Sequence, residues 1–314
     1  MILTPPKTFF SLLDFNIAIS LDDRVKKTLA YLECKYPKEL FYPATPDMMP
    51  VARNDLLLVH TREFVDKLFG PGLPAEIHEC FELSQYGVDG GDKKDLTILR
   101  DQIFLQCAYT FHAMKLSIEH GFCYFLGGGM HHAKSDRGSG FCLVNDIVLG
   151  IKKLQKQMKI KTAWVIDVDA HKGDGTSELT ENDDSIQTLS IHMKDGWPLS
   201  FTPSTVDIPV GDGGERDYLS LLESGLFELE KKSAELPDIA VVVDGADPYE
   251  LDELPGSALL KLSSGQMLKR DQMVYDFLTK REIPQTFVIG GGYGKEVWRI
   301  YVQFIDWLVL MRDK

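Results

Sequence analysis

Asp167, Asp169 and His171 stand at alternate positions at the end of the apolar run 163–168. Side chains two apart in an extended chain share a face, so all three can point to one place. Two carboxylates and an imidazole, with no cysteine among them, suit Zn²⁺ or another borderline divalent ion such as Fe²⁺, Co²⁺ or Mn²⁺. Three protein donors leave a coordination position for water, the pattern of catalytic rather than structural sites. Asp247, in Asp244-Gly245-Ala246-Asp247 after the apolar run 239–243, can add a carboxylate from a second run end. The competing reading, aspartates that cap turns, suits a lone Asp better than this alternating set.

Gly127-Gly128-Gly129-Met130-His131-His132 follows a third apolar run, 123–126. Three glycines let backbone approach a site closely and take positive φ. Two imidazoles beside an activated water can act as general base and general acid, each needing a partner on its other nitrogen. Asp167 and Asp174 are the available carboxylates. Either histidine could instead be a metal donor, and spacing does not decide between these uses. Tyr293 lies in Gly290-Gly291-Gly292-Tyr293-Gly294 after a fourth run, 286–289. Its hydroxyl could donate to a developing oxyanion. Neither glycine run forms GxGxxG or GxxxxGK[ST], so a phosphate or dinucleotide loop is not the main reading.

The elements that must position these groups are short β-branched or aromatic runs separated by helical patterns. Runs 123–126, 163–168, 186–191, 239–243 and 286–289 read as buried strands. Segments 95–120, 145–157, 217–236, 263–280 and 295–312 read as helices. Strand–helix alternation argues an α/β fold with a largely parallel sheet. In such sheets ligands bind outside the carboxyl ends of the strands, so four polar run ends converge on one crevice. Residues 84–95 read as a surface loop. Residues 1–100 are less regular and read as outer helices and rim loops, with 100–314 as the core holding the site. No composition shift divides 1–314 into separate domains.

The chain has 314 residues, 44% of them hydrophobic and 26% charged, an ordinary globular composition. Its net charge of −13 disfavours direct nucleic-acid binding and is compatible with a cationic substrate. No apolar run approaches the roughly 18 residues of a membrane span, and the first thirty residues lack the pattern of a secretory signal. Five cysteines with no CxxC pair indicate reduced thiols and a cytoplasmic location. Cys123 and Cys142, in apolar stretches, read as inert packing.

GGGMHHAKSDRGSGFC (127–142), VIDVDAHKGDG (165–175), DGAD (244–247) and GGGYGK (290–295) resemble the metal-dependent histone deacetylase superfamily. The match runs from about Leu56 to the end, about four-fifths of the chain. SDRGSGFC, LKRDQMVY (268–275) and GGYGKEVWRI are most similar to the class IV deacetylases. The resemblance implies a three-layer arginase–deacetylase fold with a central, mostly parallel sheet of about eight strands flanked by helices. It implies Zn²⁺ on Asp169, His171 and Asp247, with His131 and His132 as the base and acid, oriented by Asp167 and Asp174. Tyr293 corresponds to the residue that polarises the amide carbonyl. Gly140, Phe141, Leu254 and Trp197 match positions that line the acyl tunnel. Asp167, Asp169, His171, Ser190 and Ile191 match a structural K⁺ site. Lys172 and Asp244 depart from the family pattern without removing a catalytic atom.

The implied activity is hydrolysis of acetyl or longer fatty acyl groups from lysine side chains of a peptide or protein, or from a small acylated amine. A polyamine deacetylase is the alternative enzyme, with Glu250, Asp252 and Glu253 as candidate acidic gatekeepers beside the reading of a solvated loop face. A binuclear-manganese ureohydrolase shares Asp-Ala-His run ends but has no use for the histidine pair. A non-catalytic acyl-lysine-binding protein is expected to have lost a donor or the tyrosine, and here all are present.

Overall fold

The computed structural model describes residues 2–4, 22–36, 41–43, 49–83 and 95–312. The strands are β1 (Ile2–Thr4), β2 (Phe41–Pro43), β3 (Phe122–Phe125), β4 (Ala163–Asp167), β5 (Ile186–Met193), β6 (Val206–Val210), β7 (Ile239–Asp244) and β8 (Gln285–Ile289). The helices are α1 (Asp22–Lys35), α2 (Arg53–Leu56), α3 (Arg62–Leu68), α4 (Leu73–Cys80), α5 (Leu96–His120), α6 (Asp146–Lys156), α7 (Asp174–Thr180), α8 (Tyr218–Lys232), α9 (Ser264–Thr279) and α10 (Trp298–Arg312). The strands form one eight-stranded sheet, ordered β2-β1-β3-β8-β7-β4-β5-β6, in which every pairing is parallel. All strand carboxyl ends therefore open on one edge, where the polar run ends gather.

Burial on both faces explains why the central strands read as continuous apolar runs. Along β4, Trp164 and Ile166 enter one core with residues of α1, α8, α9 and α10. Ala163 and Val165 enter the other, with α5 and α6. A third cluster joins α2–α5 to Met130, Ala133 and Cys142 beyond the strand ends, with Phe141 and Tyr293 packed against it. Helix limits follow local chemistry. Asp95 caps α5 by accepting from the Thr97 N–H, and Gly121, at φ 84°, ends it in the left-handed conformation. Ser263 and Gln266 close a capping box on α9.

The eight strands match the number the resemblance implies, but three of them have no counterpart among the runs read as strands. β1 and β2 come from the N-terminal hundred residues, read as outer helices and rim loops; they extend the sheet beside β3. Three-residue edge strands carry too few side chains to show a period. β6, with Pro209 and with three of its five residues not buried, is the opposite edge. The loop read at 84–95 lies outside the described residues except for Asp95. Among the described residues no helix is long and apolar enough to cross a membrane.

Candidate active site

The end of β4 turns through Asp169 and His171, and the end of β7 through Asp247. These three side chains are buried, and one donor atom from each lies within 4.8 Å of the others. His171 Nδ1 is 2.7 Å from Asp247 Oδ2 and 3.3 Å from Asp169 Oδ1. The remaining carboxylate oxygens are held by backbone: Asp247 Oδ1 accepts from the Ala170 N–H at 2.9 Å, and Asp169 Oδ2 from the Gly291 N–H. Gly291 must be glycine for this approach, because a Cβ there would sit 2.5 Å from Asp247 Oδ2.

The electrostatics test whether this set suits a cation. Burial and the neighbouring Asp169 push the Asp247 carboxyl up to about 7. Burial opposes charge on His171, yet Asp169 and Asp247 outweigh it and push the imidazole up to about 10. Buried carboxylates that compete for one proton are donors a divalent cation can share. Two oxygens and one imidazole nitrogen fit Zn²⁺, Fe²⁺ or Co²⁺.

The histidine pair stands beside this set. The His131 and His132 ring centroids are 3.9 Å apart, and His132 is 6.1 Å from His171. His131 Nδ1 lies 2.6 Å from Asp167 Oδ2, and His132 Nδ1 lies 2.7 Å from Asp174 Oδ1. Each Nε2 is thereby left for the cleft. Burial opposes charge on His131, but Asp167 and Asp169 outweigh it and push it up to about 9. Burial and the adjacent His131 push His132 down to about 4. The pair thus differs in proton affinity, as an acid and base require. Gly129 explains the glycines before it: at φ 75°, a Cβ would fall 2.2 Å from the Ile289 carbonyl oxygen.

Tyr293 is half-buried, and its ring meets Phe141 edge-on at 6.2 Å. Burial and the Asp247 and Asp169 carboxylates hold its phenol well above the ordinary range, so it stays a donor. The proposed tunnel residues gather here too. A Cβ on Gly140 would fall 2.5 Å from the Trp197 ring and 2.6 Å from the His132 ring. Trp197 stands edge-on to His132 at 4.6 Å. Leu254 and His171 both flank Gly256. At the matched potassium positions, Asp167 pairs in register with Ser190 of β5, and Ile191 follows. The Ser190 hydroxyl lies 3.1 Å from His192 Nδ1.

Several supporting residues escape a reading by motif. Asp146 Oδ1 accepts from the Met130 N–H at 2.7 Å and Oδ2 from the Gly129 N–H at 3.1 Å, with the Thr110 hydroxyl also donating. Asn145, which caps α6, donates through Nδ2 to Thr176 Oγ1 at 3.1 Å, and its N–H donates to His60 Nε2 at 3.2 Å. Arg24 donates to the Gly292 carbonyl at 3.0 Å across most of the chain. Asp252, a candidate gatekeeper by sequence, is buried instead. It accepts from the Tyr293 N–H at 2.6 Å and the Ser257 hydroxyl at 2.7 Å, which fixes the tyrosine loop and removes it from the rim.

The histone deacetylase domain family matches residues 20–305. Histone deacetylase 2 of Arabidopsis thaliana is 28% identical over 268 residues, 84% of this chain and 67% of that protein. An uncharacterized protein of Picosynechococcus is 30% identical over 262 residues, 83% of this chain and 81% of that protein. Histone deacetylase B of Dictyostelium discoideum is 28% identical over 265 residues, 78% of this chain and 58% of that protein.

Proposed function

The chain belongs to the histone deacetylase family of hydrolases, and we propose that it is a zinc-dependent enzyme that removes acyl groups from lysine side chains or related amines. The observation that carries this reading is the pairing of His131 with Asp167 and of His132 with Asp174, beside three buried donors whose atoms lie within 4.8 Å.

Asp169, His171 and Asp247 would hold the zinc. When bound, zinc supplies a Lewis acid that lowers the pKa of water and polarises a carbonyl oxygen. The protein's own groups do the rest. His131 and His132 between them take a proton from the attacking water and deliver one to the leaving amine. Asp167 and Asp174 fix the ring orientations and favour a proton on each Nδ1. Tyr293 donates to the carbonyl oxygen as negative charge develops there. Gly140, Phe141, Trp197 and Leu254 line the approach for the acyl-lysine stem. A structural K⁺ on Asp167, Asp169, His171, Ser190 and Ile191 would brace the β4–β5 ends beneath.

The polyamine reading has less support. Asp252 is committed to the Tyr293 loop, which leaves only Glu250 and Glu253 exposed there. A peptide panel carrying acetyl-, octanoyl-, decanoyl- and myristoyl-lysine, with an acetylated polyamine beside it and a chelator control, tests the proposal. Chelator-sensitive release from an acyl-lysine is expected, and the preferred chain separates deacetylase from defatty-acylase. Release from the polyamine alone would move the reading to that substrate. No release with zinc bound would leave a binding protein.

A further inference from the structure

We propose that Arg270 is a positioning residue that sets the spacing between the Asp169 and Asp247 carboxylates. The proposal rests on the reading that those residues, with His171, hold a metal. Arg270 is completely buried on α9, behind the sheet edge that carries the donors. Its Nη1 donates to two backbone carbonyls at once, Val168 O at 3.0 Å and Gly245 O at 2.8 Å. Val168 immediately precedes Asp169, and Gly245 lies two residues before Asp247.

The location explains the need. β4 and β7 pair in register up to Asp167 and Val243, and one further bond, Val168 N–H to Val243 O at 3.1 Å, closes the ladder. Beyond it the two chains turn into their donor loops. The guanidinium donates to a carbonyl of each and so ties one loop to the other. Its remaining donors are anchored to carboxylates: Nη2 to Asp244 Oδ1 at 2.6 Å and Nε to Asp271 Oδ1 at 2.6 Å. Tyr124 holds the other Asp244 oxygen at 2.7 Å. The planar fork is thus fixed on three sides, and a lysine could supply the charge but not this geometry. Asp244 is the partner that turns the fork toward the two carbonyls.

The test uses the full chain and compares Arg270→Lys, Arg270→Met, Asp244→Asn and a control, Leu226→Ala, that opens a cavity under α8 without removing any hydrogen bond to the donor loops. Two readouts apply: zinc affinity by chelator competition, and the visible absorption bands of the cobalt-substituted protein. The Arg270 variants are expected to lose zinc affinity by about 10–100-fold, as loss of groups behind metal ligands does elsewhere, and to shift the cobalt bands. Asp244→Asn should move both in the same direction by less, and Leu226→Ala should leave both at parental values. If Arg270→Met does not fold, Arg270→Lys and Asp244→Asn decide. Parental affinity and cobalt bands in the folded variants would overturn the proposal. Equal losses in Leu226→Ala would also overturn it, by making the effect one of general stability. A parent chain that binds neither zinc nor cobalt would overturn the donor-set reading itself, and this inference with it.

Discussion

The donor half and the histidine half of the site are built in different ways. Asp169, His171 and Asp247 hang from the ends of β4 and β7, adjacent strands of one parallel sheet. The sheet fixes where they start, and the Ala170 and Gly291 N–H groups fix their carboxylates. His131 and His132 stand on a glycine loop after β3, and no ladder reaches them. Asp146 holds that loop from α6, Asp174 from α7, and Asn145 with His60 from outside the sheet. On the proposed reading, metal chemistry is therefore written into the sheet edge, while proton chemistry depends on helix termini packed over it together with Asp167 at the end of β4. Damage to the first half should cost metal. Damage to the second should cost turnover or stability with metal retained.

The largest effect is expected at the donors. Asp247→Asn should remove both bound zinc and measurable turnover, since the amide offers no anionic oxygen; zinc retained at one per chain would break the division. Next, Tyr293→Phe should lower kcat by about 10²–10³, the usual consequence of losing one oxyanion donor, with zinc content unchanged. Near-normal turnover would remove Tyr293 from the mechanism. Asp146→Ala should lower unfolding free energy by roughly 3–5 kcal/mol in urea, because it strands the Gly129 and Met130 N–H groups and the Thr110 hydroxyl. A loss under about 1 kcal/mol would show that the loop holds itself.

His60 ties the histidine half of the site to pH. Its Nε2 accepts from the Asn145 N–H while Nδ1 lies 2.9 Å from the Lys134 carbonyl, an arrangement only the neutral ring can make. Burial pushes it from 6.5 down to about 4. The unfolded chain therefore binds the proton first as pH falls. The stability His60 contributes is complete above about pH 6.5 and is lost progressively down to about pH 4, at most about 3 kcal/mol. Urea unfolding of His60→Leu against the parent should show a shallower loss across that window; parallel curves would contradict it. The smallest effect belongs to the rim. Trp197→Ala should change the acetyl-to-decanoyl ratio of kcat/KM by about tenfold, with kcat for the better substrate and zinc content little altered.

The same contrast explains what could be read from the sequence. Alternation in Asp167-Val168-Asp169-Ala170-His171 is a local signal that marks the site, although only Asp167 belongs to β4: Asp169 and His171 stand in the turn beyond it and meet Asp247, while Asp167 meets His131. The central strands were legible for the same reason, because burial on both faces leaves unbroken apolar runs. Asn145 and Asp146 look like an ordinary helix start, and only the fold shows that Asp146 reaches back to Gly129 and Met130. Arg24 is 268 residues from the Gly292 carbonyl it holds, a separation no local pattern reports. Asp252 was misread for a related reason. It sits among exposed acids, and its burial comes from the Tyr293 loop folding over it. β1 and β2 were missed because three residues show no period.

If the proposed function holds, turnover follows occupancy of the Asp169–His171–Asp247 set. The most direct measurement strips the protein with a chelator and returns zinc stepwise, following bound metal and acyl-lysine hydrolysis in the same samples. Activity should fall to background in the stripped protein, rise in proportion to zinc and level off at one equivalent per chain. Hydrolysis that persists in the metal-free chain, or that ignores returned zinc, would rule out a metal held by these three residues as the source of turnover.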